Sequence, residues 1–190
     1  MKKIILLLVL ALFASAYASA QQPESRHKEH HEHHEHRGAD GGHRHHQRPP
    51  QKAAELQYNA DGIETTIVKA FPQAKSVRKA EKWTEVYDGG KKLIGYAVYS
   101  KPASDGIKGF GGETPVLIAL DRKKVVKGVY LLPNVETPGF EKRVADAGFY
   151  NSWNGLSVKK ALKKEVDAVS GATFTSRAVA QTVQAALKTL

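Results

Sequence analysis

The chain has 190 residues, with 29 Lys and Arg against 19 Asp and Glu, nine His and no Cys. Without cysteine, disulfides, thiolate metal centres and lipid attachment at a lipobox cysteine are excluded, so the core must hold by burial alone. The length suits one domain plus a tail. Charge is unevenly spread: residues 21–50 hold five basic and five acidic side chains, and residues 51–190 hold 22 basic against 14 acidic. A basic domain fits nucleic acid, an anionic membrane surface, an acidic partner or a phosphorylated ligand. The cations are scattered at expected turns, as in Lys91-Lys92, Arg122-Lys123-Lys124 and Lys159-Lys160, and read mostly as solvated surface.

Met1-Lys2-Lys3, an apolar run from Ile4 to Ala14 and the ending Ala18-Ser19-Ala20 describe a secretory signal peptide over residues 1–20. The run is short for a membrane span, which needs about 20 residues. The mature protein is therefore expected to be exported, to a periplasm or beyond, which argues against nucleic acid as a partner.

All nine histidines lie between His27 and His46, among Gly38, Gly41, Gly42, Pro49 and Pro50, with almost no apolar residues. Such a segment buries too little surface to fold, so residues 21–52 are expected to be a disordered linker and residues 53–190 the domain. Closely spaced imidazoles suit weak capture of a divalent metal; a polar tether with pH-dependent charge is the plainer reading. With no histidine in the domain, imidazole-based catalysis and a His-rich metal site inside it are excluded.

Within the domain, Ile63, Ile67 and Phe71 form a helical stripe closed by Pro72. Residues 76–87 read as a strand, Asp88-Gly89-Gly90 as a hairpin turn, and Leu93–Tyr99 as the returning strand. A glycine-rich passage, Asp105 to Gly112, lacks any dinucleotide or Walker spacing. Val116–Leu120 reads as a buried strand, Asp121–Lys124 as a turn and Val125–Leu132 as the next strand. Glu136-Thr137-Pro138-Gly139 then carries a Pro-Gly turn signal, with glycine supplying a positive φ. Residues 141–150 read as a short helix with Val144 and Ala147 inward. Phe149, Tyr150 and Trp153 either pack the core or line a ligand. The predicted fold is α+β, a single domain with a mainly antiparallel sheet and flanking helices.

The last stretch, Asp167 to Ser176, combines small residues with hydroxyls at Ser170, Thr173, Thr175 and Ser176. Gly171 and Ala172 leave the backbone open to close approach. A helical pattern follows from Arg177, with Val179, Val183, Ala186 and Leu190 on one stripe. Thr175 or Ser176 is then the N-cap, and Thr173 sits just outside a helix N-terminus, where free amides favour an anion such as phosphate.

Asp167-x-x-Ser170-Gly171-Ala172-Thr173, followed by Thr175-Ser176, resembles the flavinylation motif of the FMN-binding domain family. That family includes the flavoprotein subunits of sodium-pumping NADH:quinone reductase and of Rnf complexes. The resemblance covers roughly residues 60–190, and the Gly-aromatic-Gly-Gly passage and the E-T-P-G loop stand in the family's order. It implies FMN joined by a phosphoester to Thr173, installed by a flavin transferase that uses FAD. It also implies that Ser170, Gly171, Ala172 and Thr175 surround the attachment, that Asp167 helps present the acceptor, and that Glu136, Thr137 and Gly139 lie beside the flavin. The implied role is an electron carrier with redox partner proteins, membrane-bound ones included, and no catalytic residues of its own. Two other readings stay open: a secreted metal-binding module using the His tract, and a flavin-dependent reductase. The respiratory-complex subunits carry an N-terminal membrane anchor; this sequence shows no comparable span, so a free-standing exported flavoprotein is expected.

Overall fold

A computed structural model describes residues 52–190. The expected signal peptide and nearly all of the expected histidine-rich linker lie outside the described residues.

After an N-terminal segment comes helix α1 (Thr65–Ala70), followed by strands β1 (Ser76–Lys79), β2 (Thr84–Tyr87), β3 (Leu93–Tyr99), β4 (Val116–Leu120) and β5 (Val126–Leu131). Helix α2 (Pro138–Asp146), a 3-10 turn (Phe149–Trp153), α3 (Val158–Leu162) and α4 (Thr173–Leu187) complete the chain. The strands form one five-stranded sheet in sequence order, each pair antiparallel. This is the expected α+β class. Among the described residues, no helix is long and apolar enough to cross a membrane.

Strand β4 shows why helices cover both faces. All five of its residues are buried, and alternate side chains join two separate apolar clusters. Val116, Ile118 and Leu120 meet Val144, Phe149, Trp153, Val179, Val183 and Leu187 on the side of the C-terminal helices. Leu117 and Ala119 meet Ile63, Ile67 and Phe71. All three are buried as expected, but only Ile67 lies within α1; Ile63 precedes the helix and Phe71 closes it, so they do not form one helical stripe. The inward face of α4 at Val179, Val183 and Ala186 is as expected from spacing.

Both hairpin turns are closed by aspartates. The Asp88 carboxylate accepts the amides of Gly90 and Lys92, and Asp121 accepts those of Lys123 and Val125. Each side chain mimics a backbone turn.

Four other local expectations need correction. Residues 76–87 are two strands, separated by a turn in which the Ala80 amide donates to the Trp83 carbonyl at 2.8 Å. The segment Ala-Glu-Lys-Trp holds no Gly, Pro, Asn or Asp to announce a turn. Pro138-Gly139 is no turn; it opens α2, where a proline's missing N–H costs nothing. Ala147 faces solvent, one residue beyond that helix. Finally, α4 begins at Thr173 with Ala172 as its N-cap, so neither Thr175 nor Ser176 caps it. Ser176 instead sits inside the first turns, where its hydroxyl donates to the Ala172 carbonyl at 2.9 Å and accepts the Val169 amide at 3.0 Å.

On the α1 side, the buried Glu64 carboxylate accepts the Tyr99 hydroxyl at 2.6 Å. Burial, with the Glu64 hydrogen bond and charge, raises the Tyr99 pKa far above the ordinary tyrosine value. A raised folded pKa contributes stability that is complete below the unfolded value, about 10, and is lost as pH rises beyond it. Tyr99→Phe should cost about 1–3 kcal/mol at neutral pH by depriving a buried carboxylate of its donor. Urea denaturation from pH 8 to 11 should also show a shallower alkaline loss in the variant than in the parent.

Candidate functional site

The first turn of α4 meets two loops at one end of the sheet. One, residues 109–112, lies between β3 and β4, and its Gly109 amide donates to the Gly112 carbonyl at 2.7 Å. The other, residues 135–137, joins β5 to α2. Glu136 ties them together. It is 4% exposed, and its Oε1 accepts the amides of Gly111 at 2.6 Å and Thr137 at 2.7 Å. Its Oε2 is buried with no partner, as is the Thr175 hydroxyl on α4.

Two glycines make this arrangement possible by their lack of a side chain. A Cβ on Gly109 would collide with Glu136 Oε2 and stand 3.1 Å from the Thr175 Cα. One on Gly111 would lie 2.8 Å from Thr137 Oγ1 and 2.9 Å from Glu136 Oε1. The Gly109-Phe110-Gly111 loop thus closes directly onto the carboxylate and the helix.

Between these parts lies a pocket of about 240 Å³, lined by Phe110, Phe140, Gly171, Ala172, Thr173, Phe174 and Thr175. Phe110 packs edge-on against Phe140, with ring centroids 4.9 Å apart. Phe110 and Phe174 are 64% and 68% exposed, the largest exposures among the large apolar residues described. Two bare phenyl rings flanking one pocket mark a place where a flat apolar ligand recovers buried area. Thr173, half-buried, stands in the same pocket as the first helical residue.

The electrostatics favour an anion. Ala172 supplies no side-chain cap, so the amides of Thr173, Phe174 and Thr175 have no acceptor within the helix. They form the positive end of a 15-residue helix. Gly171 holds φ +73°, a left-handed turn that leads the chain straight into the helix. The Arg143 guanidinium of α2 lies against it: a Cβ there would strike Nη1 and stand 3.3 Å from Cζ. None of the ion pairs among the described residues involves Arg143.

Of the residues expected at a site, Gly171, Ala172, Thr173 and Thr175 line the pocket, and Glu136 and Thr137 form its neighbouring wall. Ser170 and Asp167 are exposed on the approach to the helix, and they line a separate shallow groove. Gly139 is exposed in the first turn of α2, with nothing within 4 Å of its Cβ position. Phe149 and Trp153 are core residues, 4% and 0% exposed. Tyr150 packs against the same core, with its pKa pushed up to about 12 by burial and by the Glu141 charge. Sequence reasoning missed Phe140, Phe174 and Arg143. Phe174 stood inside the motif as an apolar residue among hydroxyls, and that was its available signal; the other two lie on a helix distant in sequence.

A model of the FMN-binding domain matches residues 109–188, from the glycine loop to the end of α4. A curated relative, one of the subunits of the Na+-translocating ferredoxin:NAD+ oxidoreductase complex of Acetobacterium woodii, is 30% identical over 150 residues. That match covers 72% of this chain and 68% of the relative. The chain belongs to the FMN-binding domain family. Among solved structures, NqrC of Shewanella oneidensis is similar at 22% identity and a TM-score of 0.40, over 68% of this chain and 71% of that one. The residues present fit the cofactor for which the FMN-binding domain is named. A phosphate suits the uncapped amides with Arg143 beside them, and a planar ring suits Phe110 and Phe174.

Glu136→Ala should leave the Gly111 and Thr137 amides without an acceptor, at a cost of about 1–3 kcal/mol. Hydrogen exchange should then quicken roughly tenfold or more at those two amides, with little change in the β4 core.

Proposed function

We propose that this FMN-binding domain is an exported electron carrier holding FMN covalently through Thr173. The single observation that carries the reading is the placement of Thr173. It is the first residue of a helix without a side-chain cap, and it lines the pocket that Phe110 and Phe174 flank. The likeness to a component of a Na+-translocating ferredoxin:NAD+ oxidoreductase complex supports a redox role with protein partners.

Attachment fits the chemistry of the residues. A flavin transferase would break the pyrophosphate of FAD, joining the flavin-side phosphorus to Thr173 Oγ and releasing AMP, while the hydroxyl proton leaves. An aliphatic hydroxyl does not ionise near neutrality, so activation must come from the transferase and not from this chain. Here the backbone amides of α4 and Arg143 would hold the phosphate, and Asp167 and Ser170, exposed beside the acceptor, are available to the transferase. The bound flavin supplies the redox chemistry; the protein supplies attachment, orientation and a local field. Phe110 and Phe174 would cover the ring and exclude water, and Glu136, buried with one free carboxyl oxygen, stands beside the pocket. The N-terminal leader supports export, and a covalent bond keeps the cofactor where it cannot be resupplied.

Co-expression with an FAD-using flavin transferase should add the mass of one FMN less one water, and a yellow colour that survives denaturation. Thr173→Ala should abolish both while keeping the parent's thermal transition. Denaturation-resistant colour in that variant would refute the attachment site.

A further inference from the structure

The antiparallel order sends alternate turns of the sheet to opposite ends. The pocket occupies the end carrying the β3–β4 loop and the segment after β5. The other end carries the β2–β3 turn at residues 88–92, the β4–β5 turn at residues 121–125 and the exit of α1. There a cleft of about 440 Å³ is floored by Phe71, Pro72, Leu93 and Ile94 and rimmed by Lys92, Arg122 and Lys127. The Lys127 ammonium lies 4.6 Å above the Phe71 ring centroid. Lys91 and Lys123 are exposed on the same turns, and the Lys124 ammonium lies 4.4 Å above the Trp83 ring. The Val158 amide donates to the Lys124 carbonyl at 3.3 Å, which brings α3 alongside with Lys159 and Lys160 exposed. Cations far apart in sequence therefore gather at one end of the domain.

Acidic side chains are outnumbered there. Asp88 and Asp121, the carboxylates of the two turns, accept backbone amides and keep their charge, two against the eight cations, and Asp61 pairs with Lys75 at 3.7 Å. None of the ion pairs among the described residues uses any of the eight cations just named. Seven of the eight are lysine.

We propose that this end of the domain docks on an anionic lipid surface. Lysine dominance is what selects that partner. Protein interfaces are depleted in lysine, and recognition of carboxylates favours the planar fork of arginine. A field of hydrated point charges on protruding turns suits a dense, laterally mobile layer of headgroup phosphates, with attraction acting within about 10 Å at moderate salt. Docked this way, the domain turns its flavin pocket away from the bilayer, open to a soluble partner. The proposal does not depend on the flavin reading.

The test is co-sedimentation of the chain from residue 21 onward, without the apolar leader, with vesicles at pH 8, where the histidine tract is neutral. Vesicles of equal parts phosphatidylglycerol and phosphatidylcholine are compared with phosphatidylcholine alone. Binding should require the anionic lipid and weaken with salt. The triple variant Lys92→Ala, Arg122→Ala, Lys127→Ala should bind roughly 100-fold more weakly, at roughly fivefold per cation. A control with equal charge loss, Lys52→Ala, Lys79→Ala, Lys142→Ala, should lose less than about tenfold by the same measure. Absence of binding to the anionic vesicles, equal binding to neutral ones, or equal losses in the two triple variants would each overturn the proposal.

Discussion

One five-residue strand sets the terms for the whole domain. Because β4 is buried on both faces, the sheet needs a helical layer on each side, and the chain supplies α1 before the sheet and four helical segments after it. Strand order then follows the sequence, and each connection, including the long one between β3 and β4, falls at one end or the other. The site and the lysine-rich surface are both consequences. One is assembled from the connections at the pocket end, the other from those at the far end.

At the pocket end, packing and polarity are solved together by a single buried carboxylate. Glu136 gathers two loop amides into one anionic anchor, and glycines at 109 and 111 let the backbone close over it. A buried carboxylate oxygen without a partner is costly, and so is a buried threonine hydroxyl in the same state. Native structures keep such groups where function gives a reason, and here both adjoin the pocket beside Thr173. The helix amides and Arg143 bring positive potential to the other side of the same pocket. An anion and an apolar plane, held side by side, match the two halves of a flavin phosphate.

Charge is divided between the two ends by different means. At the pocket it is local and built from backbone dipoles, one buried carboxylate and one guanidinium. At the far end it is diffuse, carried on long exposed side chains that outnumber their acidic neighbours. The first arrangement suits a fixed ligand, and the second suits a surface without fixed geometry.

The sequence by itself determined the class of the fold, the buried stripe of α4, the turns that begin at Asp88 and Asp121, and the motif ending at Thr173. Each depends on residues near one another in the chain, where periodicity and turn chemistry act directly. The family followed from the same local patterns, since its motifs are contiguous. What only the tertiary structure decided is the company those residues keep. The break between β1 and β2 carries no turn residue, and the start of α4 at Thr173 follows from the left-handed Gly171 and from Ser176 bonding backward. Phe110, Phe140, Arg143 and Thr173 meet, and the separate lysine pairs gather at one end of the domain, because closure of a sheet brings together positions that no local pattern connects.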